Sequence, residues 1–349
     1  MRRRRRFFTL LVLTIVILVG LFCFSNLSLN AKTDLQIDKL EGICEAKENE
    51  SYASYNKNLI ISNGSLVKVI NKNGKEQLQT KFYTNNLNIQ TNDSFALLAD
   101  VDGGDILLLN KNKISCQITT EKILFARLQK SGDFIVGHSS GVEVYNKKGE
   151  RYLKVATDYY ILDATIWKKS LVVSGFKTSK KTATGIRAYY DITTGEEHYL
   201  NRWEHSNDIF PELKALGNRL ISINENKIII QKGIFDEEIE IKFANKTLKH
   251  YYITSLGKII CLFNEGANKT AWETYSLTGE LRESKSVDIN IKSFIYSNNG
   301  FSLLGDNNIQ IYNTFGWLRK MTKIDKNIVA IAKSGIYIIE NGEIKYIKL

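Results

Sequence analysis

The feature that most constrains the fold of this chain is a short phrase that recurs along it. The phrase consists of an alternating strand-like run, a polar turn with a glycine, and a second alternating run, as in YDITTGEEHYL from Tyr190. A tight hairpin needs a residue with positive φ at its turn, and glycine adopts that conformation without a steric penalty. Each copy therefore predicts two antiparallel strands. The turn glycines are Gly74, Gly149, Gly195, Gly279 and Gly316.

The spacing of these hairpins indicates how the strands are grouped. Two of the intervals are about twice the others, and each contains a degenerate copy, at 105–118 and at 227–241. With these copies included, the interval is roughly 40 residues, which is the spacing of β-propeller blades. A second hairpin and a further strand-like segment precede each phrase, so every repeat supplies four strands. Seven repeats of this kind run from about Ser51 to Lys323.

The two ends of the chain bear on the number of blades. Three strand-like segments follow the seventh repeat, in NIVAIAKS, GIYIIEN and GEIKYIKL. A three-stranded blade would leave an open edge, which promotes aggregation. The segment DLQIDKLEGI, residues 34–43, is therefore predicted to close the ring as the outermost strand of an eighth blade. We expect an all-β propeller over 34–349 with eight four-stranded blades, and seven blades with an extra hairpin is the alternative.

The first thirty residues predict a position in the cell. A basic tip, residues 1–6, precedes an uncharged and almost wholly apolar run at 7–24. At helical rise this run spans roughly 27 Å, enough to cross a bilayer. Arginines on one flank hold the amino terminus in the cytoplasm. We expect an uncleaved single-pass transmembrane helix at 7–24, a linker at 25–33 and an extracytoplasmic propeller; a cleaved secretory signal is the alternative.

The turn phrase also resembles known repeats. YDITTGEEHYL is similar to the strand-D-x-x-T-G-strand phrase of quinoprotein-type propellers, and SLTGELRE repeats it. The basic tip, single anchor and degenerate propeller resemble a family of membrane-anchored Gram-positive proteins known as a domain of unknown function. The combined GH and WD signature of WD40 blades and the tryptophan-docking ends of quinoprotein blades are absent from the sequence, which has no WD dipeptide. The resemblance implies a WD40-like or quinoprotein-like propeller fold and carries over no functional residue.

The sequence predicts no cofactor site. The loop DVDGGD resembles a calcium loop through Asp100, Asp102 and Asp105, but it lacks the further acid and the closing glutamate of such loops, so we interpret it as an acidic turn. The four histidines include no pair at metal-ligand spacing. Outside the apolar run, the cysteines lie far apart, and the sequence leaves open whether any two of them pair. These are Cys44, Cys116 and Cys261.

Charge and motifs indicate the class of function. The formal net charge is +11, of which five charges are the terminal arginines, so the remaining excess suits an anionic surface without requiring nucleic acid. No nucleophile elbow, Walker loop or paired-carboxylate motif is present. We therefore expect a non-catalytic binding or scaffold module whose partner is an envelope protein or an anionic polymer. The alternative is a propeller enzyme, a glycoside hydrolase or lyase or a quinoprotein-like one, with acids contributed by separate blades.

The candidate binding residues lie at one end of the predicted ring. The second hairpin of each blade and the blade-to-blade link share that end, and the sequence there is longest and most varied at 175–185, 201–211 and 264–270. Variable loops on a rigid scaffold commonly carry recognition. The candidate lysines would offer positive charge to an anionic partner. The candidate arginine, tryptophan and histidine would provide stacking and hydrogen bonds. The alternative is that the lysines are solvated and the tryptophan packs between blades. The candidates are Lys177, Lys180, Lys181, Arg202, Trp203 and His205.

Overall fold

The computed structural model describes residues 42–55, 57–179, 182–264, 269–297, 300–305, 308–322, 327–332 and 335–348. The predicted basic tip, transmembrane helix and linker lie outside these ranges, as do Lys180 and Lys181. The described residues form 32 strands in eight four-stranded sheets. No helix in the described ranges has the length and apolar character to cross a membrane.

The first half of the ring contains blades 1 to 4, each built from four consecutive strands. Blade 1 comprises β2 (Ser51–Tyr55), β3 (Asn58–Ser62), β4 (Leu66–Ile70) and β5 (Glu76–Lys81). Blade 2 comprises β6 (Leu87–Thr91), β7 (Phe95–Asp100), β8 (Asp105–Asn110) and β9 (Lys113–Thr119). Blade 3 comprises β10 (Phe125–Leu128), β11 (Phe134–His138), β12 (Gly141–Tyr145) and β13 (Arg151–Ala156). Blade 4 comprises β14 (Tyr160–Trp167), β15 (Ser170–Thr178), β16 (Ala183–Asp191) and β17 (His198–Ser206).

The second half contains blades 5 to 8, and the last of them combines the two ends of the chain. Blade 5 comprises β18 (Glu212–Leu216), β19 (Arg219–Ile223), β20 (Lys227–Gln231) and β21 (Ile239–Lys242). Blade 6 comprises β22 (Leu248–Ile253), β23 (Ile259–Asn264), β24 (Thr270–Tyr275) and β25 (Leu281–Val287). Blade 7 comprises β26 (Ser293–Ser297), β27 (Gly300–Leu304), β28 (Ile309–Asn313) and β29 (Leu318–Thr322). Blade 8 comprises β30 (Asn327–Ala332), β31 (Gly335–Glu340), β32 (Glu343–Lys348) and β1 (Cys44–Glu45).

The eight-bladed propeller predicted from the repeats is confirmed. Neighbouring strands within each blade are antiparallel. Around the axis, the first strands of blades 1 to 5 contact one another in turn, and β2 contacts β30 across the ring closure. The first and third turns of a blade lie at one end of the ring, here called the lower end. The second turns and the blade-to-blade links lie at the other, here called the upper end.

The burial of the strands follows their position in the blade. The second strand is covered on both faces by neighbouring blades, so β7, FALLAD, and β11, FIVGH, are buried along their whole length. The outermost strand is largely exposed, as in β25, LRESKSV. Apolar clusters therefore fill the spaces between blades. The cluster between blades 3 and 4, for example, contains Val142, Val144, Leu171 and Val173.

The turn glycines have the predicted conformation and a second role in packing. All five have φ between 72° and 83°. The third turn of a blade also packs against the outermost strand of the preceding blade: a Cβ on Gly149 would lie 3.1 Å from Cys116 Cβ, and one on Gly279 would lie 2.6 Å from Ile239 Cγ2. Glycine therefore serves both the turn and the close approach of two blades.

The chain before β2 supplies the closing strand, as the sequence predicted, but that strand lies later than the predicted range. β1 is Cys44–Glu45, paired with Ile344 and Glu343 of β32, rather than the predicted 34–43. Ile43, the last residue of the predicted range, donates its N–H to the Ile344 carbonyl at 2.7 Å, and residues 34–41 lie outside the described part of the chain. Contact with the apolar cluster of blades 8 and 1 determines the position, because Ile43, Cys44 and Ala46 pack against it.

Blade 4 also differs from the sequence prediction. The segments 175–185 and 201–211 were predicted as loops, whereas β15, β16 and β17 are nine residues long and pair as far as Thr178 with Ala183 and Thr184 with Ser206. β-branched and aromatic residues in these segments suit paired strands. The two strands of the second hairpin of blade 4 therefore extend further at the upper end than those of blades 1 to 3. In blades 1 to 3 each of these strands has five or six residues.

Candidate functional site

The upper end of blade 4 carries Lys177 at a surface with both charge and aromatic rings. Lys177 Nζ lies 2.5 Å from Oδ2 of Asp158, in the link between blades 3 and 4. This hydrogen bond is the main cause that lowers the pKa of Asp158. Beside them, Tyr160 stacks on Phe176 with 5.2 Å between ring centroids, and Tyr160 remains 65% exposed. The surface therefore combines an ion pair with an exposed aromatic pair.

Arg202 belongs to the same surface. Its Nη1 lies 3.5 Å from Asp158 Oδ1, and its Nε lies 2.8 Å from Glu204 Oε1. The guanidinium also lies over the ring of Tyr159, 5.6 Å from its centroid. The structure thus brings Arg202 and Lys177 together through one shared carboxylate. Together with Tyr160 and Phe176, these groups form what we call the blade 4 surface.

Trp203 and His205 face the other way. Successive side chains of a strand point to opposite faces of the sheet. β17 therefore directs Arg202 toward Asp158, and Trp203 and His205 toward blade 5. Trp203 Nε1 donates to the Ile234 carbonyl of blade 5 at 3.1 Å, and its ring packs against a cluster that contains Trp167 and Leu213. Trp203 therefore has the packing position that the sequence allowed as the alternative.

His205 is part of a buried polar contact between the same two blades. Its Nε2 lies 3.1 Å from Arg187 Nη2, and its ring meets Phe210 edge to face at 5.3 Å. Burial, followed by the nearby cations Arg187 and Lys227, lowers the pKa of His205 to about 4. At neutral pH the imidazole is therefore uncharged, and Nε2 accepts a hydrogen bond from Arg187.

Two buried charged groups that sequence reasoning missed hold this region together. Arg187 is fully buried and binds Ser222 Oγ at 2.8 Å and the carboxylate of Glu238, both in blade 5. Asp163 is also fully buried; it accepts from Arg127 Nε of blade 3 at 2.6 Å and from the Leu213 N–H of blade 5 at 2.8 Å. One signal existed in the sequence: each charge interrupts an apolar run, in YILDATIW and GIRAYY.

A central cavity of about 1030 Å³ is lined by the inner parts of blades 1–3 and 5–8. Its charged lining residues are Arg127, which is neutralised by Asp163, together with Lys130, Lys214 and Asp93. Hydroxyl and amide groups of the first strands and the lower turns supply the remaining polar lining. Glycoside hydrolysis uses a pair of carboxylates, and Asp93 is the one carboxylate among the described lining residues. The lining groups suit binding of a polar ligand.

The acidic turn of blade 2 uses its three carboxylates in separate contacts. Asp100 accepts from Thr84 Oγ1 at 2.7 Å, Asp102 pairs with Lys122 at 3.2 Å, and the Asp105 side chain accepts from the Thr119 hydroxyl. The described residues contain no cluster of three or more His, Cys, Asp or Glu that would hold a metal ion. The three described cysteines are unpaired.

The sequence profile of a family of unknown function, DUF5711, matches residues 32–349. The chain belongs to this family. The matched region contains all eight blades, so the propeller is the part of the chain that defines membership. No protein with a curated description matches the chain.

Solved structures similar to this DUF5711 propeller share its fold at very low identity. BamB from Moraxella catarrhalis is 10% identical with a TM-score of 0.55, covering 88% of this chain and 98% of that one. Apo AztD from Citrobacter koseri is 11% identical with a TM-score of 0.58, covering 84% and 90%. Saccharomyces cerevisiae Sqt1 is 9% identical with a TM-score of 0.54, covering 89% and 97%. At such identity the likeness establishes the propeller fold and no shared function.

Proposed function

We propose that this DUF5711 protein is a non-catalytic binding module of a Gram-positive cell envelope. A helix at 7–24 anchors it in the cytoplasmic membrane, and the propeller lies outside, where the blade 4 surface binds an envelope protein. The arginines that precede the apolar run support this orientation.

The observation that carries this proposal is the blade 4 surface itself. Its strands extend beyond the hairpins of the neighbouring blades, and a buried network fixes them to blade 5. Exposed Tyr160 and half-buried Arg202 are residue types enriched at protein interfaces. A rigid base under an exposed aromatic and charged surface suits binding to a folded partner, since little ordering is needed on association.

The test is site-specific photo-crosslinking in intact cells, with a benzophenone side chain in place of Tyr160. We expect a product of one defined mass that contains a second protein. Shortening the hairpin tip at 178–183 to a two-residue turn should abolish the product. The matched control places the same group at Phe235, which is 76% exposed and lies at the lower end of blade 5, and we expect no such product there.

Two results contradict the proposal. A heterogeneous product that disappears on digestion of wall glycan would identify an anionic polymer as the partner. No product from a correctly folded protein would exclude this surface. Protease added to protoplasts is the control for orientation, because an extracytoplasmic propeller must be degraded without lysis of the cells.

A further inference from the structure

The third turn of blade 7 differs from the equivalent glycine turns of blades 1, 3, 4 and 6. In blades 1, 3, 4 and 6 the residues on either side of the turn glycine are polar or charged, as in Lys148 and Glu150 of blade 3. In blade 7 they are Phe315 and Trp317, which are 38% and 49% exposed and pack together with 5.2 Å between centroids. Two aromatic side chains therefore replace polar ones at a solvent-exposed turn.

The conformation of the turn does not explain these aromatic residues. In blade 7, Asn313 Oδ1 accepts from the N–H groups of Phe315 and Trp317 at 2.9 and 3.0 Å. In blade 3, Asn146 Oδ1 accepts from Lys148 and Glu150 at 2.9 and 3.1 Å. The same backbone arrangement thus forms with either set of side chains, so the aromatic pair has another role.

The aromatic turn is part of a larger exposed apolar surface at the lower end. Leu318 and Met321 follow it in β29, exposed by 37% and 41%. The first turn of blade 6 is joined to it, since the Ser255 N–H donates to the Thr314 carbonyl at 2.8 Å, and the next residue, Leu256, is 58% exposed. Arg319 and Lys320 lie between these two apolar residues of β29. Aromatic, aliphatic and basic residues are combined in this way at membrane interfaces.

The direction of β1 points the preceding chain toward the same end of the ring. β1 runs antiparallel to β32, so followed backwards from Cys44 the chain heads toward the lower end. The neighbouring contact agrees, because the Ile43 carbonyl lies against Gly74 in the third turn of blade 1. Residues 25–41 separate this point from the proposed anchor. Seventeen residues span at most roughly 60 Å when fully extended, so the propeller is held within reach of the membrane.

The lower turns beside this entry point are basic. Blades 1 to 3 carry seven exposed lysines in their described lower turns against three acids, Asp93, Asp133 and Glu150. In blades 4 to 6 the described lower turns carry more acids than lysines. The acids are Glu196, Glu197, Asp236, Glu237, Glu238 and Glu280, and the lysines are Lys168, Lys169, Lys232 and Lys258. The basic sector therefore lies on one side of blade 8 and the aromatic turn of blade 7 on the other. The lysines are Lys57, Lys72, Lys75, Lys111, Lys130, Lys147 and Lys148.

We propose that the lower end of blades 7, 8, 1 and 2 rests on the anionic lipid surface of the membrane, with Trp317 and Phe315 inserted at headgroup level. This inference rests on the proposed anchor for its proximity to the bilayer. The lysine turns are attracted to anionic lipids, while the acidic turns of blades 4 to 6 tilt away from them. The blade 4 surface, at the upper end, then faces away from the membrane.

Fluorescence of the full chain in vesicles tests this arrangement. The protein has four tryptophans and none lies in 7–24, so the anchor contributes no tryptophan emission. Trp167 and Trp272 are fully buried, and Trp203 lies between blades 4 and 5. In vesicles of phosphatidylglycerol and phosphatidylcholine with brominated acyl chains, we expect loss of the Trp317 emission. The variant W317F should show no loss, and the matched variant W203F should show the same loss as the parent.

Separate outcomes distinguish this inference from the proposed function. If the parent protein resists extraction by carbonate but its tryptophan emission is unaffected by brominated lipid, the surface contact is overturned and the anchor is left intact. Protein extracted by carbonate overturns the anchor, while quenching that persists still supports the contact. If Trp317 becomes shielded from water as the protein concentration rises, and brominated lipid has no effect on its emission, a second copy of the chain covers the aromatic turn. That result also overturns the proposal. The double variant F315K/W317E, which copies the side chains of blade 3, should fold normally and lose the quenching.

Discussion

The junction between blades 4 and 5 and the junction between blades 8 and 1 hold the same ring together by different chemistry. At the first, Arg187 and Asp163 are buried and bonded across the interface, with Glu238 and the Leu213 N–H as partners. At the second, Leu59, Ile61 and other apolar groups of blade 1 meet Ala330, Tyr337 and Ile344 of blade 8. Hydrogen bonds are also present there, but they run from hydroxyl groups to backbone carbonyls, as from Tyr337 to Lys57 at 3.2 Å.

The two junctions differ in how far apart their blades lie in the chain. Blades 4 and 5 follow each other directly in the chain, so their encounter is local and charged partners select one arrangement. Blades 8 and 1 come from opposite ends of the chain, and closing that large loop has an entropic cost that apolar burial offsets. Ser54 illustrates the separation, because its hydroxyl donates to the Ile331 carbonyl, 277 positions away.

Of the changes to the two junctions, loss of the closing strand should lower the free energy of unfolding most. Deletion of residues 42–46 removes β1, the backbone bonds of Ile43 to β32 and of Ala46 to Gly342, and the packing of Ile43 and Cys44. We expect the free energy of unfolding to fall on the order of 5 kcal/mol, from the lost burial and bonds and the exposed edge of β32. Urea unfolding followed by circular dichroism measures it.

A deletion of the same length at 34–38 is the matched control for the closing strand. It lies within the range that the sequence predicted as the closing strand but before β1. We expect a much smaller change. Equal destabilisation by the two deletions would show that the earlier residues contribute as much to closure as Cys44–Glu45.

Removal of one buried charge at the polar junction should have the next largest effect. Glu238→Gln keeps the side-chain size but leaves the Arg187 guanidinium buried without its carboxylate. Breaking a buried pair in this way costs about 3 kcal/mol or more. Glu283→Gln is the matched control, because Glu283 pairs with Lys285 at 2.7 Å with both side chains about half exposed, and we expect a change within about 0.5 kcal/mol. Similar values for the two variants in urea unfolding would contradict the structural role of Arg187.

The pH dependence of the polar junction should be the smallest of the three effects. The folded pKa of His205, about 4, lies below the ordinary histidine pKa of 6.5, so the unfolded chain takes up a proton first as the pH falls. Stability is therefore lost between pH 6.5 and about 4, and at pH 5 the loss is on the order of 2 kcal/mol. His205→Gln should remove this part of the acid sensitivity, as measured by unfolding at pH 7 and pH 5.

Two other groups define the controls for the pH experiment. Burial lowers the pKa of His250 as well, so His205→Gln leaves part of the loss in place. Glu143 acts at lower pH: burial alone raises its pKa, but hydrogen bonds from Tyr145, Lys154 and Arg151 lower it to about 2. Its contribution is present above pH 4.5 and lost toward pH 2. An identical pH 7 to pH 5 difference in the parent and His205→Gln would show that His205 is not the source.

The candidate site could be predicted from the sequence only in part. Lys177 and Arg202 lie together through Asp158, which the sequence did not distinguish from other acidic link residues. Trp203 and His205 lie two positions apart in β17 and face the neighbouring blade, a direction that depends on the register of the strand. A one-residue change of register reverses the face of every side chain, and the pairing with β16 sets that register.

The sequence by itself determined the repeating unit of this protein. Alternation of apolar and polar residues, polar turns and turn glycines act over about ten residues, so strands, hairpins and the number of four-stranded blades could be derived without coordinates. The tertiary structure alone decided the contacts between blades: the partners of Arg187 and Asp163, the location of the closing strand at Cys44–Glu45, and the separation of basic and aromatic lower turns around blade 8. These contacts join residues tens to hundreds of positions apart, and they form only when the geometry of the closed ring brings those residues within bonding distance.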